Sequence, residues 1–266
     1  MMDKIQHTII EQLWQAMNLP ESCLLNTRIY KKMLLESSEI SKNDKKIVTE
    51  DIDILIWRYT LKPETINIPK LQTEDLDYPE IAVIHIALKS PKRVKRLGEI
   101  TQRSIPYPLV LIISHDNKLW FSLANKRQSL ADSQKLIVEN FFDSNWIDGD
   151  NLQPIEKEFI DSIDSKQLDW TNFYTFYQGL VERLLALQAA QLTGQFKLEY
   201  IASNSSENKK SVPDRQILLQ NIRQLEEEKN NLNVSLNKET QFNRRLELNM
   251  NIKHCKEQIK KITNDL

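Results

Sequence analysis

The sequence predicts an α/β fold: a mixed β-sheet domain flanked by helices, followed by a C-terminal antiparallel helical hairpin or coiled coil. Residues 81–88 and 109–114 are almost unbroken apolar runs rich in β-branched side chains, which is typical of strands buried on both faces. Between them, Val94, Leu97 and Ile100 stand at helical spacing and the charges fall elsewhere. Beyond residue 213, apolar residues recur in alternating steps of three and four, the pattern of a helix-packing seam.

A hairpin continues the predicted sheet after its two buried strands. Asp116 and Asn117 favour a tight turn, and residues 119–123 alternate in the way that a half-exposed strand does. The resulting order of strand, helix, strand, hairpin and strand predicts the centre of a mixed sheet.

The first part of the chain predicts helices with short extended pieces between them. Residues 3–18 favour an amphipathic helix that ends before Pro20 and carries Ile5 on its apolar face. Residues 28–35 fit a short strand or a helix, and the pattern does not choose between the two.

A second helix is predicted over residues 44–61, where apolar residues recur at helical spacing and Ser41 or Asn43 provides the N-cap. We then expect a short strand over residues 65–68 and a polar loop over residues 70–79.

After the central stretch, residues 135–142 fit a strand or a helical turn, and residues 154–168 predict a short helix. Asp169 or Thr171 is the expected cap of a longer helix with an apolar aromatic face. Gly194 stands where a left-handed C-terminal cap is expected to end that helix.

A polar segment, residues 202–213, predicts a linker between an α/β domain (1–201) and a helical hairpin (214–266). The seam positions in the second part are out of phase by two residues, so we place a turn at residues 237–241, and a continuous helix with a stutter is the alternative. The predicted partner or oligomer interface consists of the seam residues Leu218, Ile222, Leu225, Leu232, Leu236, Leu248, Ile252, Ile259 and Ile262, with Cys255 also on the seam.

Composition excludes several classes of function. The net charge of −1 argues against a protein that coats nucleic acid over its whole surface, and the four glycines include neither a GxGxxG nor a GxxxxGK[ST] loop, so no nucleotide cofactor is expected. The two cysteines form neither a disulfide framework nor a zinc site, which predicts a cytoplasmic location. No apolar run approaches the ~18 residues of a membrane span.

A basic segment is the strongest local feature, with six basic residues against one acid between positions 89 and 103. Such a cluster at a strand end can bind phosphates, although it also fits the solvated face of a helix that covers a sheet. The candidate nucleic-acid-binding residues are Lys89, Lys92, Arg93, Lys95, Arg96, Lys126 and Arg127, with Lys31 and Lys32 as possible extensions.

No residue pattern predicts a catalytic centre or a metal site. Restriction-type nucleases place Glu-x-Lys on a strand to hold Mg²⁺, but the strand here ends Ala87-Leu88-Lys89 without the carboxylate. His85 lies inside the apolar strand, where a core histidine bonded to a neighbour is the simpler interpretation.

Seven segments together resemble the bacterial family known as domain of unknown function 4391. They are residues 24–35 (LLNTRIYKKMLL), 61–69 (LKPETINIP), 80–89 (EIAVIHIALK), 105–109 (IPYPL), 122–127 (SLANKR), 184–194 (LLALQAAQLTG) and 241–249 (QFNRRLELN). The resemblance implies a setting beside DNA methyltransferases and helicases in restriction-like or phage-defence clusters. It supplies no catalytic residues.

We therefore predict a non-catalytic accessory subunit of a DNA-targeting defence complex, which bridges a helicase or methyltransferase, contacts DNA through its basic segment, and forms a homodimer or a self-buried hairpin through its seam. One alternative is a Mg²⁺-dependent nuclease with carboxylates drawn from Asp51, Asp53, Glu64 and Glu80. The other is a stand-alone nucleic-acid-binding module, whose affinity would fall steeply with salt.

Overall fold

The fold centres on a mixed β-sheet, seen in a computed structural model that describes residues 8–36, 40–128, 136–198 and 212–266. The strands are β1 (Leu24–Arg28), β2 (Ile52–Leu61), β3 (Leu71–Gln72), β4 (Asp77–Tyr78), β5 (Ile81–Leu88), β6 (Leu109–His115), β7 (Lys118–Gln128), β8 (Leu136–Asp143) and β9 (Ile147–Asp148). The α-helices are α1 (Ile9–Met17), α2 (Lys32–Leu35), α3 (Lys42–Asp51), α4 (Pro63–Ile66), α5 (Val94–Ser104), α6 (Pro154–Ser162), α7 (Phe173–Thr193), α8 (Val212–Lys238) and α9 (Phe242–Asn264).

The predicted mixed sheet is confirmed. Within the described residues its strand order is β1-β2-β5-β6-β7-β8, and β9 pairs with β7. Strands β5 and β6 are parallel and are joined by α5, whereas the other neighbouring pairs are antiparallel. The strand-helix-strand-hairpin order predicted from residues 81–123 is thus the order found.

Helices cover both faces of this sheet. On one face, α2, α3 and α5 pack on an apolar cluster that includes Ile84, Ile86 and Leu111. On the other face, Trp14 of α1 contacts Tyr59, and Phe159 of α6 contacts Phe121. Helix α7 lies on that second face too, where the buried Tyr177 hydroxyl bonds Leu109 and Ala124 of the sheet.

The predicted helix over residues 44–61 is wrong in its second half. Helix α3 begins after the Ser41 cap, as expected, but it ends at Asp51, and residues 52–61 form β2. The pairing of β2 with β5 shifts register between Ile52 and Ile54 and again between Trp57 and Tyr59. These bulges break the two-residue alternation that identifies a strand, so the apolar residues fell at a spacing that imitates a helix.

Three smaller expectations also need correction. Residues 65–68 do not form a strand, because Pro63 begins the short helix α4 and Asn67 ends it at a positive φ of 59°. The expected loop at 70–79 contains the two-residue pair β3–β4. Residues 119–123 are buried rather than half-exposed, since helices cover both faces of β7.

Other expectations hold. Helix α1 lies within the predicted span, of which residues 1–7, with Ile5, lie outside the described part. Residues 28–35 contain both of the proposed alternatives in turn, the end of β1 and then α2. Helix α7 ends at Gly194 with a φ of 77°, as predicted, but the capping side chain is that of Asn172, which accepts a hydrogen bond from Thr175 N.

The chain divides into two compact units, Met1–Leu184 and Leu185–Leu266. Helices α8 and α9 pack together as the predicted antiparallel hairpin, and residues 239–241 turn between them. Most of the predicted linker, residues 202–211, lies outside the described residues, and α8 begins at Val212. Among the described helices, none is both long and apolar enough to cross a membrane.

Candidate functional site

Two of the three arginines in the basic segment, Arg93 and Arg96, are bound by carboxylates of α3 and α5. Arg93 donates two hydrogen bonds to the Asp51 carboxylate, at 2.8 and 2.6 Å, and a third to Glu50. Arg96 donates two hydrogen bonds of 2.8 Å to Asp44, and these hold the pKa of that buried carboxyl down at about 2. Bidentate pairs of this kind fix geometry, so both arginines connect α3 to α5 and their charge is largely neutralised.

Three lysines of the same segment remain exposed. Lys89, Lys92 and Lys95, which we call the lysine patch, have no carboxylate partner among the described residues. Burial, and then the positive charge of Lys89, lower the pKa of Lys31. The Lys31 ammonium donates to Thr49 O and Ile52 O at the end of α3. The lysine patch is therefore the part of the predicted interface that is open to phosphates.

Of the carboxylates considered for a nuclease site, Asp51 lies beside Lys89, whereas Glu80 lies at the far end of β5. Asp51 lies at the end of β5, where its carbonyl accepts from Lys89 N, and its carboxylate is bound to Arg93. Glu80 precedes the other end of β5 and pairs with Lys62 at 3.5 Å. Eight strand residues separate these ends by roughly 26 Å. Within the described residues, no group of three or more His, Cys, Asp or Glu side chains is placed to hold a metal ion.

His85 has the neighbour that sequence reasoning expected but did not identify. Its Nε2 lies 2.8 Å from Ser114 Oγ, and Trp14 packs edge-on against its ring. Parallel pairing of β5 with β6 brings the two residues together across 29 positions of sequence. No local motif reveals such a pair, because the register between the strands decides it.

The predicted seam lies between the two helices of the hairpin. Ile222, Ile252 and Cys255 are buried, at 3 to 6% exposure. The other predicted seam residues are only half-buried: Leu218, Leu225, Leu232, Leu236, Leu248, Ile259 and Ile262. Three further apolar residues of α9 point to solvent, with Phe242 77%, Leu246 54% and Met250 65% exposed. Because these three recur every fourth residue, they lie along one side of α9, and we call them the α9 stripe.

A comparison with family models identifies the family to which the chain belongs. The model described as "Domain of unknown function (DUF4391)" matches residues 17–259, which is most of the sequence. The chain belongs to the DUF4391 family. No curated protein and no solved structure matches it.

Two segments that carry the DUF4391 resemblance meet in the structure. The Lys126 ammonium, from SLANKR, donates hydrogen bonds of 2.7 Å to the carbonyls of Ile105 and Tyr107, from IPYPL. Burial lowers the pKa of Lys126 to about 7, and its side chain cannot reach an outside phosphate in this arrangement. Arg127 is bound by Glu139. Lys126 and Arg127, two residues of the predicted interface, thus have partners within the described part of the DUF4391 chain.

The last DUF4391 segment, QFNRRLELN, builds the hairpin turn without glycine or proline. The Glu239 carboxylate accepts from the backbone N–H groups of Thr240 and Gln241, each at 2.8 Å. Arg245 donates to Glu239 O and Leu236 O at the end of α8, and Asn249 donates to Arg245 O. The side chains therefore satisfy the free backbone groups where one helix ends and the next begins.

Proposed function

We propose that this DUF4391 protein is an assembly subunit, and that its C-terminal hairpin binds a partner protein. The supporting observation is the α9 stripe, Phe242, Leu246 and Met250, which exposes large apolar side chains beside a seam that two helices cover only in part. Apolar residues repeated along one side of a helix are the usual anchors for a partner helix or groove. Exposed apolar patches on soluble chains mark interaction sites.

The partner class follows from the expectation attached to the family. We propose a helicase or methyltransferase of the same locus, within a bacterial DNA-targeting defence or restriction-like complex. In that setting the α/β unit would provide docking surface, and the lysine patch would contact DNA. A homodimer through the α9 stripe is the competing way to bury the same surface.

Co-purification from the native locus tests the assembly role. The tagged full-length chain is compared with a Leu246→Glu/Met250→Glu variant, and the proteins retained are identified by mass spectrometry. A matched control, Asn243→Glu/Asn251→Glu, adds the same charge at exposed polar positions of α9. Circular dichroism verifies that both variants keep their helices.

We expect the control to retain a helicase or methyltransferase and the stripe variant to lose it. Retention of the partner by both variants, or by a chain that lacks residues 213–266, contradicts docking through the hairpin. If the full-length chain retains only copies of itself, the apolar surface serves homodimerisation and the bridging role is wrong.

The DNA contact is tested separately through its salt dependence. Neutralising Lys89, Lys92 and Lys95 to glutamine should weaken binding to a DNA duplex of any sequence, and should lower the slope of log K against log salt by up to ~3. The control replaces Lys70, Lys157 and Lys166, three exposed lysines elsewhere on the same unit. Equal slopes for the two variants would remove the lysine patch from the proposal.

A further inference from the structure

The sheet opens to solvent at the carboxyl ends of its parallel strands. On the face covered by α1, Ile81 and Val83 of β5 are fully buried, whereas His85 and Ala87 further along the strand are half-exposed. Ser114 lies at the matching end of β6. In α/β sheets, the crevice outside the carboxyl ends of parallel strands is the usual place for a ligand.

A bulge in β2 turns Arg58 towards the same place. Trp57 pairs with Ile84 and Tyr59 pairs with Val83, so Arg58 is the extra residue between them. Its guanidinium lies 5.3 Å from the Trp14 ring and 5.6 Å from the Tyr59 ring. Bulges re-aim side chains in this way and are frequent next to functional sites.

Arg58 has no carboxylate partner among the described residues. Its Nη1 donates to Asn26 Oδ1 at 2.6 Å, and its buried Nε has no hydrogen-bond acceptor. Arg93 and Arg96, by contrast, are each bound bidentately by an aspartate. A half-buried cation without a counter-charge is costly, so an anion at Arg58 would supply what the described residues do not.

His85 and Ser114 complete the polar surroundings. Burial, and then the charge of Arg58, lower the pKa of His85 to about 4, so the imidazole is neutral near pH 7. Because the neutral ring and the hydroxyl share one hydrogen bond, the pair keeps one free donor, either Ser114 Oγ–H or His85 Nδ1–H, and adds no negative charge. The half-buried side chains of Ile54 and Ile56 on β2 provide an apolar border. A few polar groups on an apolar floor are typical of small-molecule sites.

We propose that Arg58, His85 and Ser114 bind an oxyanion, the phosphate or carboxylate group of a small molecule, at the open carboxyl end of β5 and β6. The guanidinium supplies the charge, and the hydrogen-bonded His85–Ser114 pair supplies one oriented donor. This site lies on the sheet face opposite α5, and it is independent of docking through the hairpin.

Titration of the isotope-labelled full-length chain tests the site. Sodium phosphate is added near neutral pH at constant ionic strength, and NMR follows the Trp14 indole and His85 ring resonances, assigned with Trp14→Phe and His85→Gln. Malonate replaces phosphate in a second arm, which distinguishes a phosphate site from a carboxylate site. Sodium chloride alone provides the baseline.

We expect saturable shifts of both resonances with at least one of the two oxyanions and none with chloride. Arg58→Gln should weaken the affinity by about tenfold or more, and Ser114→Ala by less. The matched control is Arg103→Gln, which removes an exposed guanidinium that lies over Phe141 instead.

The absence of a saturable response to both oxyanions in the unmodified chain would overturn the proposal, whatever the variants do. Equal affinities for Arg58→Gln and Arg103→Gln would also overturn it, since the charge at position 58 would then have no role.

Discussion

The core of the sheet and the seam of the hairpin are both apolar, but they are buried to very different extents. Ile84 and Ile112 of the sheet have no exposed surface, whereas Leu232 and Leu248 of the hairpin are half-exposed. The sheet has a helical layer on each face, while two helices alone cover a seam from one direction. The α/β unit therefore completes its own core, and the hairpin leaves apolar surface for a further contact.

The largest effect should come from cavities in the sheet. Ile84→Ala should lower the free energy of unfolding by ~2–5 kcal/mol, because it leaves a cavity in a fully packed core. Leu232→Ala should cost ~1 kcal/mol or less, since solvent already reaches that side chain. Urea unfolding followed by circular dichroism measures both. Equal costs would mean that the difference in burial has no energetic counterpart.

A buried hydroxyl should give the next largest effect. Tyr177 accepts from Ala124 N at 2.9 Å and donates towards Leu109 O or Ala124 O. Tyr177→Phe leaves a buried backbone N–H unsatisfied, which should cost ~1–3 kcal/mol in the same urea measurement. Tyr30→Phe is the control, because Tyr30 is 84% exposed and should be neutral.

Lys126 should make the stability of the sheet unit depend on pH. Its pKa is about 7 in the folded chain and ~10.4 in the unfolded chain, so between these values the unfolded state binds one more proton. Stability should therefore rise with pH across this window, by up to ~1.4 kcal/mol per unit. Below about pH 7, Lys126 is protonated in both the folded and the unfolded chain. The folded chain then bears the full cost of burying the charged ammonium.

Lys126→Met removes that rise. Between about pH 7 and pH 10, the free energy of unfolding should rise less steeply with pH for the variant than for the unmodified chain. Parallel curves for the two proteins would show that Lys126 does not change its protonation there.

The smallest effect concerns Lys229, which occupies the one polar position along the seam of α8. Lys229 is 23% exposed and pairs with Glu226 at 3.1 Å. Lys229→Leu should stabilise the hairpin by ~0.5–1 kcal/mol and increase self-association, because it extends the apolar seam. Thermal unfolding and light scattering measure the two effects. Lys253→Leu, at a position 79% exposed, is the control, and an equal gain there would point to general hydrophobicity.

The sequence predicted those elements whose pattern is local and regular. Strands β5 and β6 are continuous apolar runs, and the hairpin follows a heptad spacing that needs no knowledge of the rest of the fold. Strand β2 was missed because its two bulges shift the alternation by a residue each. The candidate phosphate contacts were only partly predictable, since Arg93 meets Asp51 across 42 positions.

The sequence by itself determined the central strand-helix-strand unit, the helical hairpin and the family, because the first two depend on short-range periodicity and the family is identified by several short segments in combination. Tertiary structure alone decided which charges remain free. It bound Arg93 and Arg96 to carboxylates, buried Lys126, and left Arg58, near His85 and Ser114, with no carboxylate partner in the described part of the chain. These contacts are set by the pairing of strands and helices that are distant in sequence. The type of an individual residue does not reveal that pairing.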